Sequence, residues 1–233
     1  MDLTARDAAR LLKVDEDTVH QWIENGTIPS YRVGDKTRLN RVELMEWAAE
    51  QKRSVDPLMF QTNGTKPTKF VLSDAVRRGG VVHNLECADK LSALKAVCAA
   101  MPLPDDVDRD ELNNVLAARE ALCSTGIGNG IAIPHPRGPI VLGVSDPQVT
   151  IAFPKSAIAF GALDAKPVHT MFVIVSTTVR VHLLLLSHLM FALKSAPFQQ
   201  LLKSHAPQQA ILDELHKIEQ KLSDTDTGEG NPQ

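Results

Sequence analysis

Ser124 to His135 carries the residues in this chain whose types and spacing could do chemistry. The segment reads Ser-Thr-Gly-Ile-Gly-Asn-Gly-Ile-Ala-Ile-Pro-His: three glycines at alternate positions, a short apolar strand, and a histidine beside proline. Glycines spaced in this way let a turn present successive backbone N–H groups, one way a loop holds an anion. A neutral imidazole is nucleophilic near pH 7, so His135 at the mouth of such a loop is a candidate to carry a phosphoryl group. Phosphoryl transfer to such a group needs a nucleophilic nitrogen, an in-line donor, and cationic or N–H groups around the equatorial oxygens. Transient capture on nitrogen requires no metal, and the expectation is of a site without metal or cofactor.

The elements that must position this segment alternate between helical and strand patterns. Val81–Leu85 reads as a strand, Asp89–Met101 as an amphipathic helix, and Asp110–Leu122 as the helix leading into the glycine segment. Gly130–Pro134, Val149–Phe153, Ile158–Phe160 and Val168–Ser176 read as further strands, which implies an α/β domain. Val181–Leu193 is the most apolar stretch. It is shorter than the roughly 20 residues a membrane span requires and contains His182 and His188, so it reads as a core helix. His188 lies on a different face of that helix from His182 and reads as structural.

Arg119 to Cys123 followed by the glycine segment resembles the enzyme IIA domains of the phosphoenolpyruvate-dependent phosphotransferase system, of mannitol/fructose type and in particular its nitrogen-regulatory branch. Phe160-Gly161-Ala162-Leu163-Asp164 with Pro167-Val168, and Val181-His182-Leu183, extend the resemblance over roughly residues 69 to 220. It implies a mixed β-sheet flanked by helices, with His135 as the phosphorylated residue. It also implies that His182 lies close to His135 and donates a hydrogen bond or positive charge to the phosphoryl group. Arg119 occupies the family arginine position, and a guanidinium can hold phosphate oxygens bidentately. Ser124, Thr125 and the backbone at Gly126 and Gly128 would shape or line the pocket. Two positions depart from the family pattern: Cys123 stands in place of a glycine, and His169 stands where an acidic residue is common.

The first fifty residues have a different character. Thr4 with Asp7 forms an S/T-x-x-D/E capping signature, after which Ala8, Leu11 and Leu12 recur at helical spacing. Val14 turns the chain, Asp15 can cap a second helix carrying Val19, Trp22 and Ile23, and Asn25-Gly26 closes it. Ile28–Val33, a turn at Gly34-Asp35-Lys36, Arg38-Leu39 and a helix from about Arg41 to Ala49 complete a winged helix-turn-helix pattern. The words LTARDAARLL, TVHQWIENGTIPSYRVG and TRLNRVELMEWA resemble the excisionase and MerR-like family. That resemblance implies groove-facing residues Thr18, His20 and Gln21, and wing residues Tyr31, Arg32, Lys36 and Arg38. Asp15-Glu16-Asp17 departs from the basic residues usual before a recognition helix, and residues 1–53 carry nine Lys and Arg against ten Asp and Glu. An acidic helix start suits the helix dipole and repels phosphate, so two readings stand: DNA binding, and protein interaction through the same fold.

These patterns divide the chain into a winged helix-turn-helix at 1–51, a linker at 52–68, a phosphocarrier domain at 69–221 and a disordered tail at 222–233. A net charge of −3 and pI near 6.2 exclude a bulk polycation, so nucleic-acid binding would require a local patch. Three cysteines without CxxC pairing suit a reducing compartment and make no zinc site. The N-terminus lacks a signal-peptide pattern, and the expected location is cytoplasmic without membrane insertion. The expected function is a regulator, acting on transcription through the helix-turn-helix, that accepts a phosphoryl group on His135 from an HPr-like carrier. The alternatives are a carrier relaying phosphate to a sugar-specific IIB partner, and an adaptor that never takes phosphate.

Overall fold

The computed structural model describes residues 2–33, 36–40, 43–44, 47–48, 51, 71–105, 107–136, 146–162, 164–176 and 178–226. The linker at 52–68, Arg53, the Gly34-Asp35 turn and Leu163 lie outside the described residues. So does part of the Arg41–Ala49 helix, of which Glu43, Leu44, Trp47 and Ala48 are helical. The chain divides into two compact units, Met1–Pro67 and Thr68–Gln233.

In the first unit β1 (Asp2–Leu3) precedes α1 (Ala5–Leu12) and α2 (Glu16–Glu24), followed by β2 (Tyr31–Val33) and β3 (Lys36–Asn40). Local chemistry sets each boundary. Thr4 and Asp7 form the reciprocal capping box, and Lys13 ends α1 in the left-handed conformation. The Asp15 carboxylate accepts the Thr18 N–H at 2.7 Å to start α2. Leu11, Leu12, Val19, Ile28, Leu39 and Leu44 are buried, and the rings of Trp22 and Trp47 meet at 5.1 Å. The wing strands pair antiparallel, and β1 adds to the other edge of β3.

The second unit is a mixed five-stranded sheet between two helical layers. In chain order it comprises α3 (Leu72–Gly79), β4 (Val81–Leu85), α4 (Lys90–Ala100), α5 (Arg109–Leu122), β5 (Gly126–Gly128) and β6 (Ile131–Ala132). After these come β7 (Gln148–Pro154), β8 (Thr170–Val175), α6 (Val179–Ala192), α7 (Ala196–Lys203) and α8 (Gln208–Asp226). The strand order is β4-β7-β8-β6-β5, with β4–β7 and β6–β8 parallel and β5–β6 and β7–β8 antiparallel. The central strands β7 and β8 are buried throughout and alternate between two cores. Val149, Ile151, Phe153, Phe172 and Ile174 pack with α3, α6, α7 and α8. Ala152, Met171, Val173 and Val175 pack on the other face with α4 and α5. Both faces are covered, so these strands read as continuous apolar runs.

Three expectations are corrected. The expected loop at Gly126 to Gly130 is a hairpin: β5 and β6 pair antiparallel, and the turn residues Asn129 and Gly130 both have positive φ, 55° and 75°. Asn-Gly is the sequence such a turn demands, because both central positions are left-handed. Ile158–Phe160 contributes one isolated bridge, Ile158 to Val168, rather than a strand. Helix α8 runs on to Asp226, past residue 222 where the tail was expected to begin. Intrahelical hydrogen bonds carry a helix beyond its last apolar anchor, and residues 227–233 lie outside the described residues. Helices α3, α7 and α8 were not anticipated from the sequence. Among the described residues no single helix is long and apolar enough to cross a membrane.

Candidate functional site

His135 sits just past β6, where its neighbour Pro134 is tied to the central sheet: the Pro134 carbonyl accepts the Ile174 N–H at 3.1 Å. The imidazole is 5% exposed. Its Nδ1 lies 2.6 Å from the Ile133 carbonyl oxygen. A carbonyl can only accept, so Nδ1 carries the proton and Nε2 of the neutral ring holds the lone pair. The backbone thereby selects one tautomer and aims one nucleophilic nitrogen.

His182 reaches the same place from the first turn of α6. Thr178 caps that helix, its hydroxyl accepting the Val181 N–H at 3.2 Å, and the His182 N–H makes the first intrahelical bond back to the Thr178 carbonyl. The His135 and His182 rings lie 5.0 Å apart at 45°, and His182 is 4% exposed. Two imidazoles 47 residues apart in sequence are therefore neighbours in the fold.

The remaining pocket candidates frame the hairpin. Arg119, buried in the last turn of α5, donates from Nη1 to the Cys123 carbonyl at 2.8 Å. The Ser124 hydroxyl donates to the Phe160 carbonyl at 2.7 Å and accepts the Gly126 N–H at 3.1 Å. Thr125 donates both its N–H and its hydroxyl to Oε2 of Glu120, at 2.9 and 2.6 Å. The glycines serve close packing here: a β-carbon on Gly126 would lie 2.8 Å from that of Ala162. At Gly128, where φ is +86°, it would meet the Asp164 carboxylate at 3.1 Å. Asp164 accepts the Asn129 N–H at 2.8 Å and so holds the hairpin turn.

Two residues outside the expected set belong to this frame. Glu120, 2% exposed, braces the entry to the hairpin; its only sequence signal was adjacency to Arg119. His169 packs beneath Gly130, and its ring nitrogen lies 2.8 Å from the Thr170 hydroxyl. Burial is the main influence on the His169 imidazole and lowers its pKa, with His205 and Lys203 adding to the effect. His188 is a half-buried residue whose pKa burial alone lowers.

In the first unit Thr18 is half-buried at the start of α2, while His20 and Gln21 are exposed. His20 Nε2 lies 3.8 Å from a Glu16 carboxylate oxygen on the same face. Tyr31, 37% exposed, pairs across the wing with the half-buried Arg38. Arg32 and Lys36 occupy β2 and β3, with their side chains outside the described set. The exposed part of α2 thus carries Glu16, Asp17 and Glu24 beside His20 and Gln21.

Comparison with known proteins places both units. The family described as "Phosphoenolpyruvate-dependent sugar phosphotransferase system, EIIA 2" matches residues 75–218, and "Helix-turn-helix domain" matches residues 3–52. A nitrogen regulatory protein of Pseudomonas aeruginosa is 35% identical over 144 residues, covering 60% of this chain and 91% of that protein. A fructose-specific EIIABC component of Bacillus subtilis is 28% identical over 149 residues, covering 63% of this chain; the chain spans only 23% of that protein. The crystal structure of nitrogen regulatory protein IIA-Ntr from Neisseria meningitidis shares the fold, with a TM-score of 0.54 and 24% identity over 62% of this chain and 98% of that one. A buried histidine pair on a hairpin-and-helix frame, within a match covering more than half the sequence, leads to one conclusion: the chain belongs to the EIIA 2 family of the phosphoenolpyruvate-dependent sugar phosphotransferase system and carries a helix-turn-helix domain.

Proposed function

We propose that this protein is a phosphorylation-controlled regulator of the nitrogen-regulatory IIA type, taking a phosphoryl group on His135 from an HPr-like carrier. The observation that supports this most is the bond between His135 Nδ1 and the Ile133 carbonyl, which leaves Nε2 as the attacking nitrogen. In the transfer, the donor's phosphorus–nitrogen bond breaks as a phosphorus–Nε2 bond forms. The proton stays on His135 Nδ1, hydrogen-bonded to the Ile133 carbonyl, and the donor histidine, protonated on its other nitrogen, leaves as a neutral imidazole. His182 would donate to the incoming oxygens, with Arg119, Ser124, Thr125 and the Gly126 and Gly128 backbone shaping the site. In this reading residues 1–51 are the readout module, 52–68 a linker, 69–221 the carrier domain and 222–233 a tail.

The added charge, about −1.5 to −2 by analogy with other phosphorylated side chains, is the signal. The helix-turn-helix reads it out on DNA through Thr18, His20, Gln21, Tyr31, Arg32, Lys36 and Arg38, which makes the process transcriptional and cytoplasmic. The test is incubation with a phosphorylated HPr-type carrier, mass analysis for an acid-labile phosphate on His135, and DNA retention before and after at matched salt. Phosphate on His135 with altered retention is expected. Identical retention in both states would remove the switch. Restored sugar uptake in a IIA-deficient system would favour relay to a IIB partner, and an unmodified His135 would favour a pure adaptor.

A further inference from the structure

We infer that Glu120 is a positioning residue for the His135 imidazole, acting through the hairpin rather than on the phosphoryl group; the inference rests on the reading of His135 as the phosphoryl acceptor. Glu120 is the last acidic residue of α5 and is 2% exposed. An ionised carboxylate is costly to bury unless its oxygens are used. One oxygen is: Oε2 accepts both the N–H and the hydroxyl of Thr125, at 2.9 and 2.6 Å. The other, Oε1, is buried without a hydrogen-bond partner and lies 3.7 Å from the Lys90 ammonium, an ion pair beyond hydrogen-bonding reach.

The hydrogen bonds continue to the histidine. The Thr125 carbonyl accepts the Ile133 N–H at 3.0 Å, and the Ile133 carbonyl accepts Nδ1–H of His135 at 2.6 Å. Each step crosses the Cα of Thr125 or of Ile133, so the two bonds at each residue belong to different peptide groups. The chain therefore transmits position and not charge. Glu120 fixes Thr125, Thr125 fixes Ile133 across the hairpin, and Ile133 selects the tautomer and direction of the ring. The residue sits one position from Arg119, whose own bond to the Cys123 carbonyl anchors the preceding residue pair. Adjacent side chains of one helical turn thus brace the entry to the hairpin at two points.

This geometry makes an unusual demand of substitutions. Both Thr125 bonds end on a single oxygen, so Glu120→Gln can keep them with its amide oxygen while losing the charge. Glu120→Asp keeps the charge but withdraws the carboxylate by one methylene, roughly 1.5 Å, and cannot hold Thr125. The experiment uses the full chain with three variants: Glu120→Gln, Glu120→Asp and Glu120→Ala. It reads the His135 tautomer from ring nitrogen chemical shifts above the imidazole titration, and the initial rate of phosphorylation by an HPr-type carrier. Glu120→Gln is expected to match the wild type in both. Glu120→Asp and Glu120→Ala should show mixed tautomers and at least a tenfold lower rate.

If Glu120→Ala does not fold, the Gln and Asp pair decides alone. Any other pattern overturns the inference, whether Gln is impaired, which would assign the effect to charge, or Asp retains the Nδ1–H tautomer. A wild-type protein that takes no phosphate would sink the reading of His135 as an acceptor. The tautomer comparison would still decide the role of Glu120.

Discussion

The ring of His169 lies so close to Gly130 that a β-carbon on the glycine would sit 2.3 Å from its Cδ2 atom and 2.5 Å from Nε2. The same glycine has φ of +75° and closes the turn of the β5–β6 hairpin. Its carbonyl accepts the N–H groups of both His169 and Thr170, at 2.8 and 3.1 Å. The sheet therefore grips the hairpin at a residue whose backbone and surroundings leave no room for a side chain. Gly130→Ala incurs a left-handed penalty of about 1–2 kcal/mol and an overpacking cost of about 1–3 kcal/mol. A loss of about 3 kcal/mol in urea unfolding of the second unit is expected from these terms. A variant within about 0.5 kcal/mol of wild type, the ordinary range for a neutral surface change, would mean that the turn relaxes freely.

Stability should fall on mild acidification. Burial, then the charges of His205 and Lys203, holds the His169 pKa below the ordinary value of 6.5, while a backbone hydrogen bond with Asn129 opposes the shift. Burial lowers His188 as well. Well above pH 6.5 these groups are neutral in both folded and unfolded chains and contribute nothing, and the unfolded chain begins to take up protons as pH 6.5 is approached. Below it the unfolded chain binds protons that the folded chain resists, so stability declines from about pH 6.5 towards the lower folded pKa values. Urea midpoints at pH 7.5, 6.5 and 5.5 should fall in that order, and His169→Gln should flatten part of the decline. Carboxylates such as Asp7, whose pKa is lowered by its bonds to Thr4, act only near and below pH 3.8. A flat profile between pH 7.5 and 5.5 would count against this account.

Those two histidines illustrate what was legible in the sequence. Local signals were: Thr4 with Asp7, Asp15, and Asn25-Gly26 mark helix ends by short-range bonds that the sequence carries in full. The nearness of His182 to His135 came through resemblance, because 47 residues separate them and no periodicity links them. The hairpin was hidden by its own glycines. Three glycines at alternate positions suit a loop that holds an anion, and that pattern masks the Asn129-Gly130 pair that suits a tight hairpin turn. Glu120 was invisible for a different reason. Its partner Thr125 lies beyond the helix end, and only the folded hairpin makes that carboxylate a brace. His169 stood out as a departure from the family pattern, but its contact with Gly130 depends on the parallel pairing of β6 and β8.

The two tryptophans of the chain, Trp22 and Trp47, both lie in the first unit with ring centroids 5.1 Å apart. Intrinsic fluorescence should therefore follow the unfolding of the helix-turn-helix alone, whereas far-UV circular dichroism is dominated by the larger second unit. Denaturation curves from the two probes are expected to separate, with the fluorescence midpoint at lower urea because the smaller unit buries less surface. Gly130→Ala should shift the dichroism curve and leave the fluorescence curve in place. Coincident curves that move together would show one cooperative unit instead of two.

His182 offers the sharpest separation of chemistry from structure. Its ring is 4% exposed, faces His135 at 5.0 Å, and is carried on the capped first turn of α6. If it donates to the phosphoryl oxygens during transfer, removing that donor should slow phosphorylation of His135 by about 100-fold, the lower end of what one preorganised donor contributes. His182→Ala also opens a space beside the sheet, so a slower rate alone would not distinguish the two effects. His182→Gln fills much of that space and retains an N–H donor. The expected result is a large loss in the alanine variant, substantial recovery with glutamine, and comparable folded stability for the two. Equal rates in both variants would count against a donor role for His182, which would have to pass to other groups around the hairpin.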